Sequence, residues 1–142
     1  MKGRKLLMIP GPIEFEPAVM QAFGQASTSH VGADFIEVFG RALSRMRDVW
    51  LCPSGQPFVV AGSGTLGMDM AVCNLVEAGD RALVINTGFF SDRFAALLER
   101  YGAQVTQLRG PLGNAPELSE IEAALASGDY RVLVMNHVDT ST

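Results

Sequence analysis

Lysine is nearly missing from this 142-residue chain: the only two are Lys2 and Lys5, ahead of every predicted element. There is no basic run. The 11 basic residues face 15 acidic ones, a net charge of −4, which argues against nucleic acid or an anionic membrane as a partner. No stretch approaches the roughly 20 apolar residues of a membrane span. The opening apolar run, Leu6 to Ile9, is broken at once by Pro10-Gly11-Pro12 and is too short for the central region of a signal peptide. Two cysteines, Cys52 and Cys73, are too few for a disulfide framework and match no metal-site spacing. Both lie in or beside apolar runs, so reduced core cysteines of an intracellular protein are expected. A cytoplasmic location follows, with peroxisome or mitochondrion also compatible.

What is present is ordinary for a globular chain: 48% apolar and 18% charged residues, enough to bury a core. The first thirty residues, with prolines at 10, 12 and 17, read as an extended arm. A helical stripe follows at Ile36, Phe39, Leu43, Met46 and Trp50, stopped by Pro53. The pattern then alternates. Strands are expected at 58–61, 82–85, 105–108 and 132–135. Helical stripes run through Leu66, Met70, Cys73 and Val76, then Phe90, Phe94, Leu97 and Tyr101, then Leu118, Ile121 and Leu125. Gly102 is placed to end the second of these as a left-handed cap. Near-continuous Val, Ile and Leu runs predict an α/β fold with a mostly parallel sheet in three layers. The domain reading is an N-terminal arm over 1–32 and the first part of a larger domain over 33–142. The chain stops just after a strand, where a crossover is expected to continue, so the sequence reads as a fragment.

Ligands of open α/β sheets bind at the carboxyl ends of the strands, and three turns of that kind stand out. The first is Gly62-Ser63-Gly64-Thr65, at the opening of a helix. Small residues permit close backbone approach, and a helix start offers unpaired N–H groups to an anion. It lacks the lysine of a GxxxxGK[ST] loop and the spacing of GxGxxG, so neither a nucleoside triphosphate nor a dinucleotide is favoured. A tight turn with Ser or Thr capping the helix is the competing reading. The second is Asn86 to Arg93, where Phe90 is either the first core residue of its stripe or a ring placed to stack on a flat heteroaromatic. The third is His137-Val138-Asp139-Thr140-Ser141-Thr142. An acid–base or metal role for His137 and Asp139 lacks a third group at suitable spacing. A hydroxyl-rich loop bonding a ligand ring, or a solvated loop with local caps, is simpler. Ser63 is no hydrolase nucleophile, since G-x-S-x-G is absent.

In this order and at these distances the turns resemble the class V aminotransferases, most closely the alanine–glyoxylate and serine–pyruvate branch. The resemblance runs from Pro10-Gly11-Pro12 to HVDTST and covers nearly the whole chain. The AGSGTLGMDM stretch and the HVDTST ending look particularly like the fungal-type enzymes. The resemblance implies the large domain of PLP fold type I, incomplete here, with pyridoxal 5′-phosphate (PLP) as cofactor. It implies that Ser63, Gly64 and Thr65 hold the PLP phosphate, that Phe90 stacks on the pyridine ring, and that Thr140 bonds the phenolic oxygen. It further implies a homodimer acting on a small amino acid, alanine or serine, and a 2-oxo acid such as glyoxylate.

The departure from the family is equally plain. Neither Lys2 nor Lys5 corresponds to the Schiff-base lysine, which in the family follows later strands, so no catalytic residue is assigned and the chain alone is expected to be inactive. The aspartate that pairs with the pyridine nitrogen is likewise not matched, and Asp139 does not replace it. Two alternatives stay open. One is a non-catalytic PLP- or phosphate-binding or interaction module whose exposed sheet edge needs a partner. The other is a different class V enzyme, such as a cysteine desulfurase, phosphoserine aminotransferase or kynureninase.

Overall fold

The computed structural model describes residues 5–141; Lys2 and Thr142 lie outside them. The chain divides into two compact units, one up to Ala61 and one from Gly62. Among the described residues no helix is long and apolar enough to cross a membrane.

The first unit holds α1 (Pro17–Phe23) and α2 (Ala33–Val49). The expected extended arm is thus interrupted by a helix. Pro17 sits in its first turn, where the fixed φ of proline suits a helix and its missing N–H costs nothing. The α2 stripe is present, but Ile36 and Trp50 are exposed and no α2 residue is buried. Phe35 and Phe39, one turn apart, stack at 5.6 Å. The strand expected at 58–61 does not form, and Phe58, Val59 and Val60 are exposed. An apolar run becomes a strand only where a neighbour takes its backbone hydrogen bonds, and no such partner is found among the described residues.

The second unit contains α3 (Gly64–Leu75), β1 (Arg81–Asn86), α4 (Phe89–Arg100), β2 (Gln104–Arg109), α5 (Leu118–Ala126) and β3 (Val132–Met135). The sheet is parallel in the order β2-β1-β3, so the expected α/β class and parallel pairing are found, with three strands among the described residues in place of four. Ala82 lies opposite both Val105 and Val132, and Ile85 opposite both Leu108 and Met135. The carboxyl ends of all three strands therefore finish at one edge.

β1 is buried along Ala82–Asn86 because it is paired on both sides and apolar on both faces. On one face Ala82 and Val84 meet Val72, Val76, Ala95, Leu98 and Ala103, with Phe94, Leu97, Tyr101, Val105, Val132 and Val134 packed around them. Phe90, the first member of its helical stripe, is not in that cluster. Val76, at the end of the expected stripe, is buried, but within α3 the buried residue is Val72, next to Cys73, so the helix is turned slightly from the face the spacing suggested. That rotation leaves Cys73 exposed, and Cys52 is exposed as well, so neither cysteine is a core residue. The Asp69 carboxylate of α3 pushes the phenol of Tyr101, at the end of α4, up from its ordinary 10.0. Gly102 ends α4 with φ +86°, the left-handed geometry expected of it.

Leu98 is fully buried at the centre of this cluster. Leu98→Ala should cost about 2–5 kcal/mol of stability, by lost transfer energy plus the cavity left behind. Urea unfolding checks this, and a loss under about 0.5 kcal/mol would mean the cluster is not the core.

Candidate functional site

Three turns meet at the carboxyl edge of the sheet, and each is held by its own chemistry. The first opens α3. Ser63 is the N-cap, with extended backbone, and its Oγ accepts from Leu66 N at 3.3 Å. Among the described residues the N–H groups of Gly64 and Thr65 have no acceptor, as expected for the first turn of a helix. A Cβ on Gly64 would meet open space. Thr65 Oγ1 accepts from Arg93 Nη1 at 2.7 Å, and the Arg93 guanidinium lies 5.0 Å from the centre of the Phe89 ring. The turn therefore presents unpaired N–H donors beside a cation, and nothing in it repels a dianion.

The second turn joins β1 to α4. Asn86 is buried and works in three directions. Its Nδ2 donates to Asp92 Oδ1 at 2.8 Å and to Gln107 Oε1 at 2.7 Å, while its Oδ1 accepts from Gly88 N at 3.2 Å. Arg109 donates to the same Asp92 oxygen. The Asn86 hydrogen bond first, and Arg109 second, hold the Asp92 carboxyl below its ordinary 3.8. Phe90 is half-buried and meets Phe89 edge-on at 5.3 Å.

The third turn follows β3 and packs on the start of α4 through Asp139, a carboxylate only 5% exposed. Asp139 Oδ2 accepts from Ser91 N at 3.0 Å and Ser91 Oγ at 3.1 Å. Its Oδ1 accepts from Ser141 Oγ at 2.7 Å and Ser141 N at 3.3 Å. Ser141 Oγ in turn accepts from Phe89 N at 2.8 Å, and Asn136 Nδ2 donates to Ser91 Oγ at 3.2 Å. Burial pushes the Asp139 carboxyl up, but the hydrogen bonds from Ser141 and Ser91 outweigh it and bring it below 3.8. Gly88 is extended, so it is required not for its φ but for space. A Cβ there would collide with Ser141 Oγ and come within 3.0 Å of Asp139 Oδ1.

Ser63, Gly64, Thr65, Phe90 and Thr140 thus stand on three turns linked by hydrogen bonds through α4. Thr140 is exposed between Asp139 and Ser141. His137 is exposed too; the partners of Asp139 are serines, so the two do not form an acid–base pair. Sequence reasoning missed Arg93 and the clamp made by Asp139. An Asp two residues before a Ser, following a strand, is a weak local signal, and its partner Ser91 lies 48 residues away.

No protein-family model matches the chain. It is 41% identical to alanine–glyoxylate aminotransferase 1 of Saccharomyces cerevisiae across 99% of its own length and 38% of that protein. It is 28% identical to an L-aspartate–glyoxylate aminotransferase of Paracoccus denitrificans, over 100% of the chain and 37% of that protein. A crystal structure of an alanine–glyoxylate aminotransferase from Nostoc sp. superposes with a TM-score of 0.84 at 30% identity, covering 95% of the chain and 36% of that structure. Along its whole length, the chain is homologous to class V aminotransferases. It spans somewhat over a third of the length of the relatives it matches. The fold is that of the corresponding part of a fold type I aminotransferase.

Two outcomes are expected of the clamp. Gly88→Ala should lose about 1–3 kcal/mol, because the methyl displaces Ser141 or Asp139, whereas Gly64→Ala should stay within about 0.5 kcal/mol; urea midpoints compare them. The folded Asp139 carboxyl is lowered, so its contribution to stability is complete above the unfolded value of about 3.9 and drains away as pH falls through that range. Asp139→Asn should therefore flatten the acid limb of stability against pH. An unchanged slope between about pH 6 and about pH 3 would show that the carboxylate is not the titrating group.

Proposed function

We propose that this chain provides the phosphate cradle and one wall of the ring site for PLP in a class V aminotransferase. The reading rests above all on one observation: the Arg93–Thr65 hydrogen bond joins the helix-start donors of α3 to the turn that carries Phe90. Arg93 brings positive charge to a loop whose Gly64 and Thr65 N–H groups are unpaired, which suits a phosphate dianion. Ser63 and Thr65 hydroxyls complete the donors. Phe90, outside the hydrophobic core cluster and half-buried, has a face to offer a heteroaromatic ring, and Thr140 has an exposed hydroxyl for the phenolic oxygen. The bound cofactor supplies the electron sink of transamination. The chain's own part is binding and orientation, since Lys2 and Lys5 are its only lysines and neither is assigned the Schiff base.

The whole protein then exchanges an amino group between a small amino acid, alanine or serine, and a 2-oxo acid such as glyoxylate, as a homodimer. Support for the glyoxylate class comes from the yeast, Paracoccus and Nostoc relatives, whose names share that acceptor.

The double variant Ser63→Ala, Thr65→Ala tests the cradle. It should weaken PLP retention on equilibrium dialysis at least about tenfold, the effect of losing two hydroxyl contacts to a charged group. Undiminished retention would remove the phosphate assignment.

A further inference from the structure

The two residues proposed to touch the cofactor ring share an unusual dependence. Phe90 sits between Phe89, whose N–H donates to Ser141 Oγ, and Ser91, whose N–H donates to Asp139 Oδ2. Thr140 sits between Asp139 and Ser141, the same two acceptors. The ring and the hydroxyl thus belong to one rigid unit, and the only ionised group inside it is the buried carboxylate of Asp139.

We infer that Asp139 is a positioning residue for the cofactor: its carboxylate locks the loop bearing Thr140 to the first turn of α4 and so fixes where Phe90 and Thr140 stand relative to each other. The inference rests on the PLP reading above. No direct contact between Asp139 and the cofactor is involved. Each carboxylate oxygen takes one backbone N–H and one hydroxyl, Ser91 on one side and Ser141 on the other. Only an ionised carboxylate accepts at both ends, because it has no donor of its own. An amide in its place turns an NH2 towards one of the two backbone N–H groups. A hydroxyl can rotate away from that conflict, whereas a backbone N–H cannot. One side of the clamp must then open, and with it the spacing between ring and hydroxyl.

The test titrates PLP into the wild-type chain, Asp139→Asn and Ser141→Ala. The dissociation constant, the induced circular dichroism of saturating PLP and the urea midpoint are measured for each. Asp139→Asn should raise the dissociation constant about tenfold, the scale of one charge-assisted hydrogen bond lost. It should also lower the induced signal per bound PLP, because orientation is lost and not merely occupancy. Ser141→Ala removes the bridge from Phe89 N–H to Asp139 while keeping the carboxylate and Ser91, and should weaken binding about threefold. A merely structural role would lower the urea midpoint but leave the signal per bound PLP unchanged; that result, or wild-type binding in both variants, overturns the inference. If Asp139→Asn fails to fold, Ser141→Ala decides alone, and an unaltered signal and affinity there overturn it. A wild-type chain that binds no PLP instead overturns the cofactor reading on which this rests.

Discussion

The arrangement at the sheet edge depends on the first turn of α4. Successive helical residues point about 100° apart, so Ser91, Asp92 and Arg93 reach in three different directions. Ser91 takes the loop after β3 through Asp139, Asp92 takes β1 and β2 through Asn86 and Arg109, and Arg93 takes the start of α3 through Thr65. Three consecutive polar side chains thereby register three loops that are distant in sequence. A change in how α4 begins would move all of them together.

That turn can do this because β1 delivers it to a fixed place. β1 is paired in parallel on both sides and buried on both faces, so its end at Asn86 cannot slide without breaking both ladders and turning apolar side chains to the wrong face. Parallel pairing also forces the connections to cross over the sheet, which returns every strand end to the same edge. Asn86 then converts strand register into loop geometry. It is buried, its amide holds Asp92 and Gln107, and its carbonyl oxygen holds Gly88 N. A short side chain with both donors and an acceptor suits a position where strand backbone bonding ends.

Much of this is legible in the sequence. The period of apolar residues located α2 to α5, and the short Val, Ile and Leu runs located β1, β2 and β3, because those patterns are the direct imprint of burial on one or two faces. Phe58–Ala61 carries the same imprint and forms no strand, since pairing is not a property of one segment. Pro17 was misread for a related reason: proline ends helices but also opens them, and only the following residues decide which. The turns after β1 and β3 could be seen at the right edge from the alternation of strands and helices, whereas the turn that opens α3 follows no strand among the described residues and is tied to that edge by Arg93. Their mutual locking could not. Ser91 and Asp139, or Thr65 and Arg93, are pairs whose members are unremarkable polar residues in their own neighbourhoods.

The distribution of charge gives the edge its sign. The chain is acidic overall, and two carboxylates, Asp92 and Asp139, belong to the turns that meet at this edge. Left bare, they would oppose an anion there. Instead Asp139 is enclosed by serine donors, and Asp92 is engaged by Asn86 and paired with the cationic Arg109. Arg93, the next residue of the helix after Asp92, directs its guanidinium to Thr65. The charged group at hydrogen-bond distance from the start of α3 is therefore a cation, beside unpaired backbone donors, in a chain of the opposite net sign. Net charge governs solubility and long-range encounter, whereas a site of this size is governed by which charges within a few ångströms already have partners.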